Sequence, residues 1–274
     1  MKILSIIFSL ISFTSVGQMM IIVDPLDPQY KKVLQNATDS AYGKPTYKQI
    51  VLQSGYLRRK VISGAWDTQE LMYVFAHNGD QEFGYINWHD PGTNNLTKSG
   101  TVTHTDDDGE KGNGTTGYFS TGLDLSAAAK YTVGDDAGFE LVVKENTASS
   151  ARYELGINQG TINSVRFNMR SATEVTQAAI NSIAINESSS NSSGHFMIYR
   201  EATPGFKIYR DGSLFTQGGG TSVAPTTGSV LMILRHNGTQ SGFSNRTVRM
   251  VTVGGTNTGV TDNYNNWTYY FSNL

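Results

Sequence analysis

Cysteine is absent from the 274 residues, which excludes a disulfide framework, a Cys-based zinc site and a thiol nucleophile. Stability has to come from packing alone. An excess of charge of one sign is missing too: 21 basic and 23 acidic residues leave a formal net charge of −2, with no long run of either sign. The electrostatic footprint of a nucleic-acid binder is therefore lacking, and no nucleic acid is expected as a partner. Proline is scarce, at 6 residues, and charged residues make up only 16% of the chain. In their place stand Gly, Asn, Ser and Thr, the residues of tight turns between short strands. The length suits one large all-β domain with short appendages. Eight Asn-x-Ser/Thr sequons, at Asn36 and Asn237 among other positions, are read as a product of this composition.

A long apolar run occurs once, from Ile3 to Val16 after Met1-Lys2, and it ends in Ser15-Val16-Gly17 before Gln18. This is the grammar of a signal peptide, and the run is too short for a comfortable membrane span. Residues 1–18 are read as a signal peptide or, uncleaved, as a hydrophobic anchor. Membrane contact is expected only through that anchor. Residues 19–65 read as a helical lead-in and residues 66–274 as a β-sandwich with a short C-terminal helix.

In the lead-in, Asp27-Pro28 opens a first helix. Thr46 precedes a second, on which Tyr47, Ile50, Val51, Leu57, Val61 and Ile62 recur at three- and four-residue spacing up to Gly64. This apolar stripe is expected to be covered, by the protein's own sheet or by neighbouring copies in a self-oligomer. Arg58-Arg59-Lys60 is expected to be a solvated face. After Trp66 the pattern changes to strands at Leu71–Ala76, Gly84–Trp88, Gly117–Ser120, Phe139–Val143, Tyr153–Ile157 and Val165–Met169. Phe196–Arg200 and Ile208–Arg210 share an Ile-Tyr-Arg triplet and are expected to pair as a hairpin, with Asp211-Gly212 as the next turn. Val230–Leu234 is continuously apolar and reads as a central strand buried on both faces. Thr261 is placed as the cap of a last helix carrying Tyr264, Trp267, Phe271 and Leu274.

Several of these pieces, in order, resemble a known family. Leu71-Met72-Tyr73-Val74-Phe75-Ala76, Tyr85-Ile86-Asn87-Trp88 with Asp90-Pro91, Gly112-Asn113-Gly114-Thr115 with Gly117-Tyr118, and Phe206-Lys207-Ile208-Tyr209-Arg210-Asp211-Gly212 together resemble the concanavalin A-like (laminin-G, legume-lectin) domains of structural proteins of Bacteroidetes-infecting bacteriophages and related proteins of those bacteria. The resemblance spans roughly residues 45–274 and implies a mainly β fold, an antiparallel jelly-roll sandwich. It also implies a virion-surface or exported protein whose partners are extracellular glycans, other virion proteins or further copies of itself. The N-terminus instead resembles flavobacterial signal peptides.

The residues admit little catalytic chemistry. Laminarinase-like relatives of the fold carry Glu-x-Asp-x-x-Glu on one strand, and no such run is present. Glu140 and Glu145 face opposite sides of a regular strand and are expected to be replaceable by Gln without harm to folding. No Gly-x-Ser-x-Gly elbow occurs, and the five histidines show no paired ligand spacing. No catalytic residue is assigned and the chain is read as a non-enzyme. Sugar binding asks for a flat ring together with groups that bind hydroxyls. Trp88, His89 and Asp90 at one strand end, and His236 and Asn237 after the apolar strand, have that chemistry on loops. Ca²⁺ is the one cofactor left open, with Asp106, Asp108 and Glu110 as its candidate ligands in an acidic turn. Glycan-binding adhesin, virion structural protein without a ligand, and secreted glycoside hydrolase remain the three readings.

Overall fold

The fold, taken from a computed structural model, is described for residues 26–131, 136–148, 152–157, 165–182, 184–201, 205–236, 242–257 and 259–274. The signal-peptide reading of residues 1–18 lies outside them. Among the described residues no helix is long and apolar enough to cross a membrane.

Helices α1 (Pro28–Asp39) and α2 (Tyr47–Ile62) lead into strands β1 (Gln69–Val74), β2 (Thr97–Ser99), β3 (Val102–Thr105), β4 (Gly109–Gly112), β5 (Tyr118–Asp124), β6 (Ala137–Val143), β7 (Leu155–Ile157) and β8 (Val165–Asn168). Strands β9 (Val175–Ile180), β10 (Ile185–Ser188), β11 (Gly194–Arg200), β12 (Phe206–Arg210), β13 (Ser213–Gly218), β14 (Val230–Ile233) and β15 (Thr247–Gly254) follow, and helix α3 (Val260–Phe271) closes the chain. They form two antiparallel sheets. The larger has the order β13-β12-β11-β6-β15-β4-β3, with β1 also on β15, and the smaller the order β10-β9-β8-β7-β14-β5-β2. The expected sandwich is thus observed.

Strand alternation builds two cores. Leu71, Tyr73, Phe139, Leu141, Phe196, Ile198 and Val251 of the larger sheet meet Phe119, Leu155, Phe167, Leu231 and Ile233 of the smaller. On the other face of the larger sheet, Met72, Val74, Val142 and Met250 are covered by Tyr30, Val33, Tyr56, Leu57 and Tyr270 of the three helices. The molecule therefore has three layers, and its central strands are buried on both faces.

The local signals act as the sequence suggests. The Asp27 side chain accepts a hydrogen bond from the Gln29 N–H at 2.8 Å and caps α1, with Pro28 in the first turn. Phe196 pairs with Arg210 and Ile198 with Ile208. Asp211 and Gly212 have φ of 50° and 79°, so both take the left-handed conformation of a primed hairpin turn.

Five expectations are corrected. Gly84–Trp88 is no strand: residues Gln81–Tyr85 form a 3₁₀ turn, in which the Gly84 backbone comes so close to His77 that a Cβ there would stand 2.9 Å from Nε2. Val230–Leu234 is central in the smaller sheet, yet only Leu231, Ile233 and Leu234 are buried in the core, while Val230 and Met232 stay half-buried, because no helix among the described residues covers that sheet's outer face. Gly259, and not Thr261, precedes α3. The apolar stripe of α2 is mostly not what is buried. Tyr47 and Ile62 are 71% and 78% exposed, while Gln49, Gln53 and Lys60 face inward with Leu57. Lys60 is no solvated cation and Glu140 no free carboxylate. The Lys60 ammonium donates to both Glu140 oxygens at 2.7 and 2.5 Å and to Asn263 Oδ1 at 2.8 Å, tying α2 to β6 and α3. Burial lowers the Lys60 pKa, and Glu140 partly offsets this. Gln53 accepts from the Tyr30 hydroxyl and donates to that of Tyr270.

The lead-in is thus part of the core. A chain beginning at Trp66 would expose Met72, Val74, Val142 and Met250 and leave Glu140 without its cation. It is expected to be unfolded or aggregated, whereas the chain from Asp24 onward stays soluble. Light scattering with circular dichroism decides it: a monodisperse native-like β protein starting at Trp66 would show the helices to be dispensable.

Candidate functional site

The loop Asn87–Asn95 is built by its own asparagines. Asn87 Oδ1 accepts from the N–H groups of Met72 and His89 at 3.0 and 3.1 Å, and its amide donates to the Thr93 carbonyl at 3.2 Å. Asn95 Oδ1 accepts from the Asn87 N–H at 3.0 Å. Such side-chain bonds replace the turns of regular structure and fix the loop's shape. Asn94 takes a positive φ of 53°, and its carbonyl accepts the Tyr73 hydroxyl at 2.5 Å.

This loop walls a cleft of about 360 Å³ together with the end of β1 and the segment after β5. Its lining is Glu70, Asn87, His89, Asp90, Thr93, Asn94, Ala129 and Lys130. Glu70 is held by the Lys130 N–H, which donates to Oε2 at 2.8 Å. The half-buried His89 ring lies 4.9 Å from the ring of Trp66 at an angle of 39°, so it offers a flat face backed by an indole. Burial lowers the His89 pKa, against the opposing pull of Glu70 and Asp90, which favours the neutral ring. The cleft thus combines one flat ring with several donors and acceptors for hydroxyl groups.

Of the sequence candidates, His89 and Asp90 line this cleft and Trp88 does not. Trp88 is fully buried, edge-on to Tyr30 of α1 at 5.2 Å, with its backbone N–H donating to the Met72 carbonyl at 2.8 Å. It anchors the loop from below and is corrected from ligand-facing to core. His236 is 5% exposed and packs on Tyr153 with ring centroids 4.7 Å apart. It lies past the end of β14, away from the His89 cleft, and Asn237 lies outside the described residues. Glu70 and Lys130 were missed because they enter from segments far along the chain; Asn94 and Thr93 had a visible signal in the Asn-rich turn after Pro91-Gly92.

The three calcium candidates do not converge. Asp106 is 73% exposed beside His104 Nε2 at 3.7 Å, Asp108 pairs with Lys144, and Glu110 is buried between His104 Nδ1 at 3.0 Å and Gln81 Nε2 at 2.7 Å. The hairpin between β3 and β4 points them to different partners. Among the described residues no group of three His, Asp or Glu side chains is placed to hold a metal.

No protein-family model matches the sequence, and no curated protein matches it. Solved structures match in fold. An HCR/D point mutant superposes with a TM-score of 0.50 at 10% identity, over 74% of this chain and 52% of that one. Domain 4 of the extracellular arabinanase AbnA from Geobacillus stearothermophilus, in complex with arabinotriose, gives 0.47 at 11% identity, over 73% and 98%. A mutant of Trypanosoma rangeli sialidase displaying trans-sialidase activity gives 0.49 at 11%, over 81% and 39%. The chain spans less than two thirds of the sialidase and HCR/D chains, and the likeness is one of fold alone.

Proposed function

We propose that this chain is a non-catalytic glycan-binding protein, exported or displayed on a virion surface, and that the His89 cleft is where it holds its ligand. The observation that carries this reading is the cleft itself: an open polar hollow whose lining is preorganised by loop asparagines and faced by an indole-backed imidazole. Preformed concave sites with few, fixed polar groups are where small ligands bind. The resemblance of the ordered motifs to phage structural proteins supports the virion setting. Calcium has no part in this reading.

A screen of bacterial surface polysaccharides, with and without EDTA, tests it. Asp90→Ala and His89→Ala are expected to weaken binding by about tenfold or more, with the melting temperature held within about 2 °C in Asp90→Ala, whose side chain is exposed. EDTA is expected to change nothing. A flat screen, or binding that survives both substitutions, would reject the site. Release of reducing ends by the wild type would reject the non-catalytic reading.

A further inference from the structure

The Nε atoms of Arg166 and Arg235 are buried without a hydrogen-bond partner, and neither these two arginines nor Arg152 has an ion pair among the described residues. By contrast, Arg170, Arg210 and Arg246 are paired with Glu174, Asp211 and Glu154. The three sit at one end of the smaller sheet. Arg166 of β8 and Met232 of β14 flank Gly156 of β7 on the outer face, since Leu155, Phe167 and Ile233 point into the core. Gly156 leaves that face open, and the His236 ring fills part of it, its Cδ2 3.0 Å from where a Cβ would stand. The Arg235 guanidinium is clamped between rings, 4.6 Å from the centroid of Tyr118 and 4.9 Å from that of Phe243. Tyr153, next to Arg152, pairs with Phe243 and stacks on His236. Burial, and then the charge of Arg166, push the His236 pKa down to about 4.

Like charges gathered with no counter-ion among the described residues oppose each other, and a guanidinium held by aromatic faces is preorganised for an oxyanion. We infer that this end of the sandwich is a second site, one that takes the carboxylate or sulfate of an acidic saccharide on Arg166 and Arg235, with Arg152 at its rim. It stands at the opposite end of β5 from the His89 cleft, because Tyr118 begins that strand and Lys130 follows its end, and it does not depend on the reading of the cleft. The chain carries 21 basic against 23 acidic residues with no long basic run, so the track of phosphate contacts that holds nucleic acid is lacking, and an acidic saccharide is the occupant.

Calorimetric titration of the full chain with tetragalacturonate, a heparin-derived hexasaccharide, cellohexaose and an oligodeoxythymidylate tests it. At least one acidic saccharide is expected to bind, about tenfold or more weaker in Arg235→Met and in Arg166→Gln, and weaker as NaCl rises from about 50 to about 500 mM. Galacturonate alone binding would mark a carboxylate site, and heparin alone a sulfate site. His89→Ala is expected to leave this binding unchanged, and Arg166→Gln, on the solvent face, to melt like the wild type. Absence of acidic binding, affinity that survives both arginine substitutions, or equal binding of cellohexaose would overturn the site. Equal binding of the oligodeoxythymidylate would overturn the saccharide as its occupant.

Discussion

Lys60→Met is expected to destabilise the protein by about 3–5 kcal/mol, and the double variant Lys60→Met/Glu140→Leu to recover most of that loss. Both side chains are buried, at 0% and 5% exposure. Removing only the cation leaves a carboxylate in a low-dielectric layer with no other hydrogen-bond donor on it among the described residues. Desolvation of an unpaired charge is what makes the single substitution severe, and replacing both partners by apolar groups removes the charge as well as the pair. Glu140→Gln is severe for the same reason, so the expectation that this glutamate is dispensable for folding does not hold. Glu145 differs: its side chain is 26% exposed and shares Lys111 with solvent, although it also accepts from the Thr247 N–H at 2.6 Å. Its Gln variant is expected to lose about 1 kcal/mol. Urea midpoints at constant m measure these differences. A Lys60→Met midpoint within about 1 kcal/mol of wild type would show that the pair does not hold α2 in place.

Mild acid is expected to weaken the fold strongly. His77, His195 and His236 are 0%, 1% and 5% exposed, and burial pushes their pKa values down to about 3, 4 and 4. Neither nitrogen of His195 has a hydrogen-bond partner among the described residues, and its ring stacks on Trp267 at 5.6 Å. In the unfolded chain each imidazole takes a proton near pH 6.5. Below that pH the unfolded state binds protons that the folded state refuses, so stability is full above about 6.5 and falls as the pH drops toward about 4. At pH 5 the loss is about 2 kcal/mol per group, an upper bound of about 6 kcal/mol for the three. His104 works the other way: burial lowers its pKa, but the hydrogen bond and charge of Glu110 raise it on balance, so its protonated form favours the fold. Urea midpoints at pH 7.5 and 5.0 test the balance. His195→Phe, which keeps the stacking, is expected to hold at pH 7.5 and to remove about a third of the pH dependence. Equal wild-type midpoints at the two pH values would show that these rings are not held neutral.

The local grammar of the sequence determined most of the secondary structure. Short runs rich in apolar and aromatic residues, bounded by turn residues, marked the strands that became β1, β6 and β11. Asp211-Gly212 marked a turn that needs two positive φ values, and Asp27-Pro28 marked a helix start. His89 and Asp90, which line the proposed cleft, were legible as candidates because their polar groups follow the aromatic Trp88. Tertiary structure alone decided which faces were covered. Gln49, Gln53 and Lys60 turn inward on α2, against their hydropathy, because Asp107, Tyr270 and Glu140 meet them from 58, 217 and 80 residues away. Trp88 became core because Tyr30 of α1 lies on it, and Glu70 joined the cleft because Lys130 returns to it from the other sheet. A residue's own character sets what it costs to bury, but only the partners brought by the fold decide whether that cost is met.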